Sequence, residues 1–386
     1  MSAYEFAVLG LILPCQRAAL VHAIEETVTD FGLHIGHDVT FHDSESIAGR
    51  DKSAAFVATY FGSPAHVDAD IVEQITQENV PIIPTVGPAD DFNANVPDFL
   101  QALNGHRRRH DDMAMTELTS VMLEAVGLLR RQRRVFISYR RTESRAAALQ
   151  LHDLLTARGF DVFLDTHDIR QGDPFQDVLW HRLCDSDVIV MLETPGFFDS
   201  KWTRHEIARA LAKEIHVLRV VWPEHQPSKL TELAKTIYLR SEDLPVADGP
   251  IRTQIANVIA LAVERLRSRS IASRYQSITG RLRADIQKFG ARVEGIGAHR
   301  AIAVRLPDDR RIWAYPVVGI PTAEILNEIA DKARNAGQRE LPVLVYDHIG
   351  IRDSWSSHLD WLDENIRAVR AIKLSEAAWS FAAWED

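Results

Sequence analysis

Unbroken apolar runs alternate with amphipathic stretches along most of the chain. AVLGLIL (7–13) is continuous, as in a strand buried on both faces. From 16 to 31, Leu20, Ile24, Val28 and Phe31 recur at helical spacing. Further strands are predicted at 39–43, 54–61 and 80–86, and a helix at 68–79. Strand and helix alternate, which predicts a small α/β domain with a parallel sheet over residues 1–106. Residues 107–131 read as a helical linker bounded by RRRH and RRQRR. Basic residues at a helix C-terminus suit the helix dipole, so these arginines are read as a wet junction and not as a nucleic-acid site.

The same alternation returns over 132–269. VFISY (135–139), FDVFLD (160–165), VIVML (188–192) and IHVLRVVW (215–222) are strands. Helices at 146–159, 176–187, 201–214 and 251–269 separate or follow them. Four strands joined by helices predict an open, mostly parallel sheet. Beyond it, 270–386 reads as an α+β domain. Antiparallel strands fall within 291–318 around a PDD turn, a helix spans 322–337, and a strand lies in 341–350. Trp355, Trp361, Trp379 and Trp384 crowd the tail and serve either a core or a partner surface.

Composition narrows the setting. With 386 residues, 46% of them hydrophobic and 25% charged, the chain is of ordinary soluble type and long enough for two or three domains. A net charge of −10 disfavours non-specific nucleic-acid binding. The two cysteines, Cys15 and Cys184, make neither a disulfide framework nor a metal cluster, which points to a reducing cytoplasm. FAVLGLILPC (6–15) is too short to span a bilayer and lacks the flanks of a secretion signal, so no membrane association is expected.

Three segments carry a resemblance: RRVFISYRRTES (133–144), FDVFLDTHDIRQGDPF (160–175) and SDVIVMLETPGFFDSKWTRHEI (186–207). In order and spacing they resemble the TIR (Toll/interleukin-1 receptor-like) family, matching its opening strand, its BB loop and the S-x-W-x-x-x-E pattern of its third motif. The resemblance implies a flavodoxin-like open parallel sheet in the middle of the chain. It also implies one of two roles: cleavage of NAD⁺, or non-catalytic assembly of signalling complexes. In the enzymatic members a glutamate of the third motif acts, and here that is Glu206, with Ser200 and Trp202 completing the pattern. Where the family commonly has serine or threonine after the third strand, this chain has Glu193. Where a cysteine commonly follows the tryptophan, it has Thr203.

The chemistry fits a carboxylate. Loss of nicotinamide leaves positive character on the ribosyl carbon, and a fixed carboxylate stabilises that charge. Glu206 is thus the expected catalytic residue, with Tyr139, Arg140, Phe198 and Trp202 as expected substrate contacts. Asp165 is expected to hold the entrance of the BB loop. In that loop, Asp168, Arg170 and Gly172 are expected to join neighbouring TIR domains into a homo-oligomer and to gate the pocket. NAD⁺ is a substrate here, so neither a retained cofactor nor a metal is expected. No glycine-rich dinucleotide fingerprint follows VFISY, which argues against an oxidoreductase. The flanking domains are candidate sensors of an unidentified activator in a defence or signalling effector. The first has a faint likeness to the second: 70–86 can be laid over 206–222, with Asp70 opposite Glu206, and 7–12 over 135–140.

Overall fold

The computed structural model describes residues 2–78, 80–109, 113–164, 175–199 and 201–384, and omits the side chains of residues 113, 114, 175, 176, 201–203, 206 and 298. The expected loop residues Asp165, Asp168, Arg170 and Gly172 lie outside the described residues, as does Ser200. The chain forms two compact units, Met1–Arg131 with Ile296–Ala301, and Gln132–Gly295 with Ile302–Asp386.

The first unit runs β1 (Tyr4–Gly10), α1 (Pro14–Asp30), β2 (Val39–His42), β3 (Ala55–Phe61), α2 (Ala69–Thr76), β4 (Ile82–Val86), α3 (Phe92–Asn95), β5 (His106–Arg107) and α4 (Met113–Ala125). Its sheet has the order β2-β1-β3-β4-β5 with every pair parallel. Leu20, Ile24 and Val28 are the buried stripe of α1, as their spacing predicts. The helix expected as a linker is α4. It packs against α1 and β3, and buries Leu118, Met122 and Leu123 in this unit.

The second unit begins with β6 (Arg134–Ser138), α5 (Arg141–Thr156), β7 (Asp161–Leu164), α6 (Phe175–Cys184), β8 (Val188–Glu193), α7 (Lys201–Ala212), β9 (His216–Val221), β10 (Lys235–Tyr238) and α8 (Thr253–Gln287). The order β10-β9-β8-β6-β7, again all parallel, is the flavodoxin-like order that the resemblance implies. The continuous apolar runs follow from burial on both faces. Val135, Ile137, Val190 and Leu218 pack under α5 and α8. Phe136, Ile189, Met191 and Val217 pack under α6 and α7. The edge strand β10 escaped sequence reading because KTIY is short and mixed, with Tyr238 exposed.

Helix α8 has 35 residues and continues without a break through the boundary expected at 269/270. Ile259 and Val263 belong to the core beneath the preceding sheet. Further along, α8 packs against β13 and α11, with Ile278, Leu282 and Ile286 buried. The chain goes on through β11 (Arg292–Ile296), β12 (Ile302–Arg305), β13 (Arg311–Val317), α9 (Ala323–Asn335), β14 (Pro342–Tyr346), α10 (Asp353–Asn365), β15 (Arg370–Lys373) and α11 (Ala377–Ala382). β12 and β13 are antiparallel around the expected PDD turn, whereas β13, β14 and β15 are parallel. The tail tryptophans divide: Trp384 is buried and Trp355 half-buried, while Trp361 and Trp379 are 56% and 81% exposed.

Candidate functional site

In an open parallel sheet, ligands bind where the chain order reverses, outside the carboxyl ends of the strands. In the middle sheet that point lies between β6 and β8. The loops that meet there are 139–141 and 194–199, within two of the three segments that carry the family pattern.

Arg140 sits at the N-cap of α5 with extended backbone angles. Its Nη1 donates to the carbonyl of Gly196 and, at 2.6 Å, to Asp199 Oδ2. The hydrogen bond to Asp199 raises the guanidinium pKa still further. Glu143, one turn along, accepts the Gly196 N–H at 3.0 Å and faces Arg140 at 3.3 Å. Both backbone groups of Gly196 are thus held by one helix turn. A Cβ at Gly196 would run into the Arg140 guanidinium and the Glu143 carboxylate, so a larger residue there would push both side chains out of the clamp. Asp199 closes the short turn Phe197–Asp199 that leads into α7.

The expected substrate contacts fall in different places. Arg140 and Phe198 stand at the switch point. Phe198 is half-buried and meets Phe197 edge-on, with centroids 5.0 Å apart. Tyr139 is buried in the core under α5 and α8. Positions 202 and 206 lie one turn apart within α7, and the side chains of Trp202 and Glu206 are outside the described residues. Inward-facing Ile207 and Ala210 seat this helix on the sheet.

Sequence reasoning missed Glu143, Gly196 and Asp199. Glu143 had a local signal, because an acid in the first turn of a helix is favoured by the dipole. The tie from Arg140 to Asp199 spans 59 positions and had none.

Glu193, the departure from the family pattern, faces the other way. It is fully buried at the end of β8. Its Oε1 accepts the Ser228 N–H at 2.6 Å, and His225 Nε2 lies 3.5 Å away. Its Oε2 is 3.7 Å from Arg219 Nε. Arg219, itself buried in β9, also donates to the Ser228 carbonyl at 3.0 Å, Thr231 Oγ1 at 3.2 Å and Thr236 Oγ1 at 3.0 Å. The pair pins the β9–β10 connection to the sheet. A lone arginine inside HVLRVV was the sequence signal for a buried carboxylate partner.

Residues 135–247 match the family model of the TIR domain, and the middle of this chain is a TIR domain. Its strand order agrees with that assignment. No curated protein matches the chain. Among solved structures it has a likeness to a protein described as a two-component system response regulator/GGDEF domain protein, at 10% identity and a TM-score of 0.26, over 67% of this chain and 99% of that one. Tagatose-6-phosphate ketose/aldose isomerase from Escherichia coli gives 10% identity and a TM-score of 0.20, over 72% and 83% of the two chains. The LacI family transcriptional regulator CCPA from Weissella paramesenteroides, with bound glucose, gives 8% and 0.18, over 68% and 91%. At such scores these likenesses carry no functional weight. Among the described residues no helix is long and apolar enough to cross a membrane.

Proposed function

We propose that the TIR domain cleaves the nicotinamide–ribose bond of NAD⁺, with Glu206 as the catalytic carboxylate. The observation that carries this reading is the TIR match over 135–247 together with the S-x-W-x-x-x-E pattern at 200–206, which opens the helix beside the switch point. As the C1′–N bond breaks, its electron pair leaves with nicotinamide. The Glu206 carboxylate stabilises the cationic ribosyl carbon and orients the ribose hydroxyls. Water adds at C1′ and gives up a proton, which yields ADP-ribose. Attack by an adenine nitrogen of the same molecule gives a cyclic product instead, and we favour hydrolysis because it requires only water access.

Assembly through TIR domains raises activity in this reading, by favouring the competent state of the pocket. A competent state populated at about 1% needs roughly 3 kcal/mol of differential binding to dominate. The flanking regions, proposed as 1–106 and 270–386, bind the activator.

One observation favours the second reading, a non-catalytic scaffold. Arg140, expected on the substrate, has its Nη1 committed to Gly196 and Asp199. Incubating the full chain with NAD⁺, dilute and assembled, decides between the two. Nicotinamide and ADP-ribose should appear, with specific activity rising on assembly. A folded, assembled protein that leaves NAD⁺ intact establishes the scaffold.

A further inference from the structure

Away from the switch point, the second unit contains a cavity of about 990 Å³. It is enclosed by α6, the C-terminal end of α7, the second half of α8, and the loops that follow β13 and β14. Its volume is that of a small-molecule site, and it lies at the carboxyl ends of parallel strands of the last sheet.

The lining is basic against the trend of the chain. Five guanidinium or ammonium groups face four carboxylates, in a protein of net charge −10. The best-placed acid is already shared. Asp347 takes Lys213 Nζ at 2.8 Å and Arg281 Nη2 at 3.2 Å, so three charged groups sum to one positive charge. Burial alone would raise the Asp347 pKa, yet its hydrogen bond and charge interaction with Lys213 win and hold it below the usual value. Asp347 is therefore ionised. Arg352 also lines the cavity, and its Nε has no hydrogen-bond partner. Its charge also helps to suppress protonation of nearby His181. Arg209 sits over the Trp180 ring, its guanidinium carbon 3.3 Å from the centroid. Ile278 and Ile320 supply an apolar wall.

We propose that this cavity binds a phosphorylated small molecule with an apolar or aromatic body, of the size of a nucleoside diphosphate. Arg281, Arg352 and Lys213 take the phosphates, and the Trp180–Arg209 stack with the isoleucine wall takes the body. Arginine suits phosphate because its planar fork donates two parallel hydrogen bonds. Among the described residues the Arg352 side chain forms neither an ion pair nor a hydrogen bond, so its charge is left for the phosphates.

The test is calorimetric titration of the full chain with ADP, inorganic pyrophosphate and adenosine, on the native protein and on Arg281→Gln and Arg352→Gln. Circular dichroism checks that each is folded. The measurement requires no turnover, so it stands apart from whether the TIR domain cleaves NAD⁺. ADP and pyrophosphate should bind saturably, and adenosine at least about tenfold more weakly than ADP. Each variant should lose about tenfold or more in ADP affinity, the usual scale for removing a charge-assisted contact. Three results overturn the proposal: no binding of ADP by the folded native chain, equal binding of adenosine, or undiminished ADP affinity in either variant. The last would place ADP elsewhere, for example at the switch point of the TIR sheet.

Discussion

The first and middle sheets share one strand order, 2-1-3-4-5, yet their carboxyl edges are finished differently. In the first sheet the loop after β3 is tied to the end of β1 by one hydrogen bond, from the Gly10 N–H to Asp68 Oδ2 at 2.8 Å. Gly10 is in the left-handed region with φ of 80°, and a Cβ there would strike the Phe61 carbonyl. Beside the Asp68 side chain, backbone also meets backbone at that edge, the Leu11 N–H donating to the Phe61 carbonyl at 3.0 Å. In the TIR sheet the corresponding loops are joined by long charged side chains, Arg140 and Glu143, around Gly196. Side chains can let go where backbone cannot. The interiors differ in the same sense. β3 and β4 meet through a neutral hydroxyl pair, Thr59 and Thr85, at 3.0 Å. β8 and β9 meet through the Glu193–Arg219 ion pair. One topology thus serves a sealed sheet and one whose polar edge is open to rearrangement.

The largest effect should come from breaking the interior contrast. Arg219→Met strands a buried carboxylate and should cost about 3–5 kcal/mol. Thr59→Val removes a neutral bond and should cost about 1 kcal/mol. Hydrogen exchange of β9 and β3 amides reads each separately. Comparable losses of protection would erase the distinction.

Next comes the activity. Glu206→Ala should lower NAD⁺ turnover roughly 10²-fold or more without unfolding the protein. Its counterpart Asp70→Ala, an exposed change in the first turn of α2, should leave turnover alone. Chromatography of nicotinamide release measures both. Full activity in a folded Glu206→Ala protein removes that residue from the mechanism.

The two glycines sharpen the contrast at the edges. Gly10→Ala must accept a left-handed φ and a backbone collision, a cost of about 1–3 kcal/mol. Gly196→Ala meets only movable side chains, so it should cost less than about 1 kcal/mol and act mainly on catalysis. Urea titration ranks the pair, and the reverse order would contradict the account of the clamp.

A further effect is one of pH. Burial, with Arg352, Arg182 and Arg134 nearby, pulls the His181 pKa from 6.5 to about 4. The unfolded chain therefore binds a proton that the folded chain refuses between those values. Stability of the second unit should fall as pH drops from about 6.5 towards 4. His181→Gln should flatten that part of the melting-temperature profile, and an unchanged slope would assign the acid sensitivity to other groups.

The central strands of both sheets were readable because each is buried on two faces, and the apolar run records that directly. VFISY and VIVML needed no partner to be recognised. The extent of α8 was hidden for the opposite reason. Its buried set changes partner near Ser270 with no glycine or proline to mark the change. Arg267 and Arg274 occupy interior positions that a hydrophobic pattern assigns to solvent. Arg267 meets Asp187 at 3.2 Å, and Arg274 donates to the Cys184 and Ser186 carbonyls at 2.8 Å each. Within the site, the loops were legible as polar breaks after strands. The clamp was not, because it joins residues far apart in the chain.

Helix α8 also imposes a rule of timing on the second unit. An α-helix advances 1.5 Å and turns 100° with each residue, so 35 residues make a shaft of about 52 Å. Ile259 engages the TIR core at one end and Ile278 lies buried towards the other. The angular phase between them is set by the number of residues in between. One residue added near 270 would swing whatever follows by roughly a quarter-turn relative to the TIR sheet, while seven would bring it back to within about 20°. Length in this segment is therefore held to the beat of the helical repeat, whatever side chains fill it.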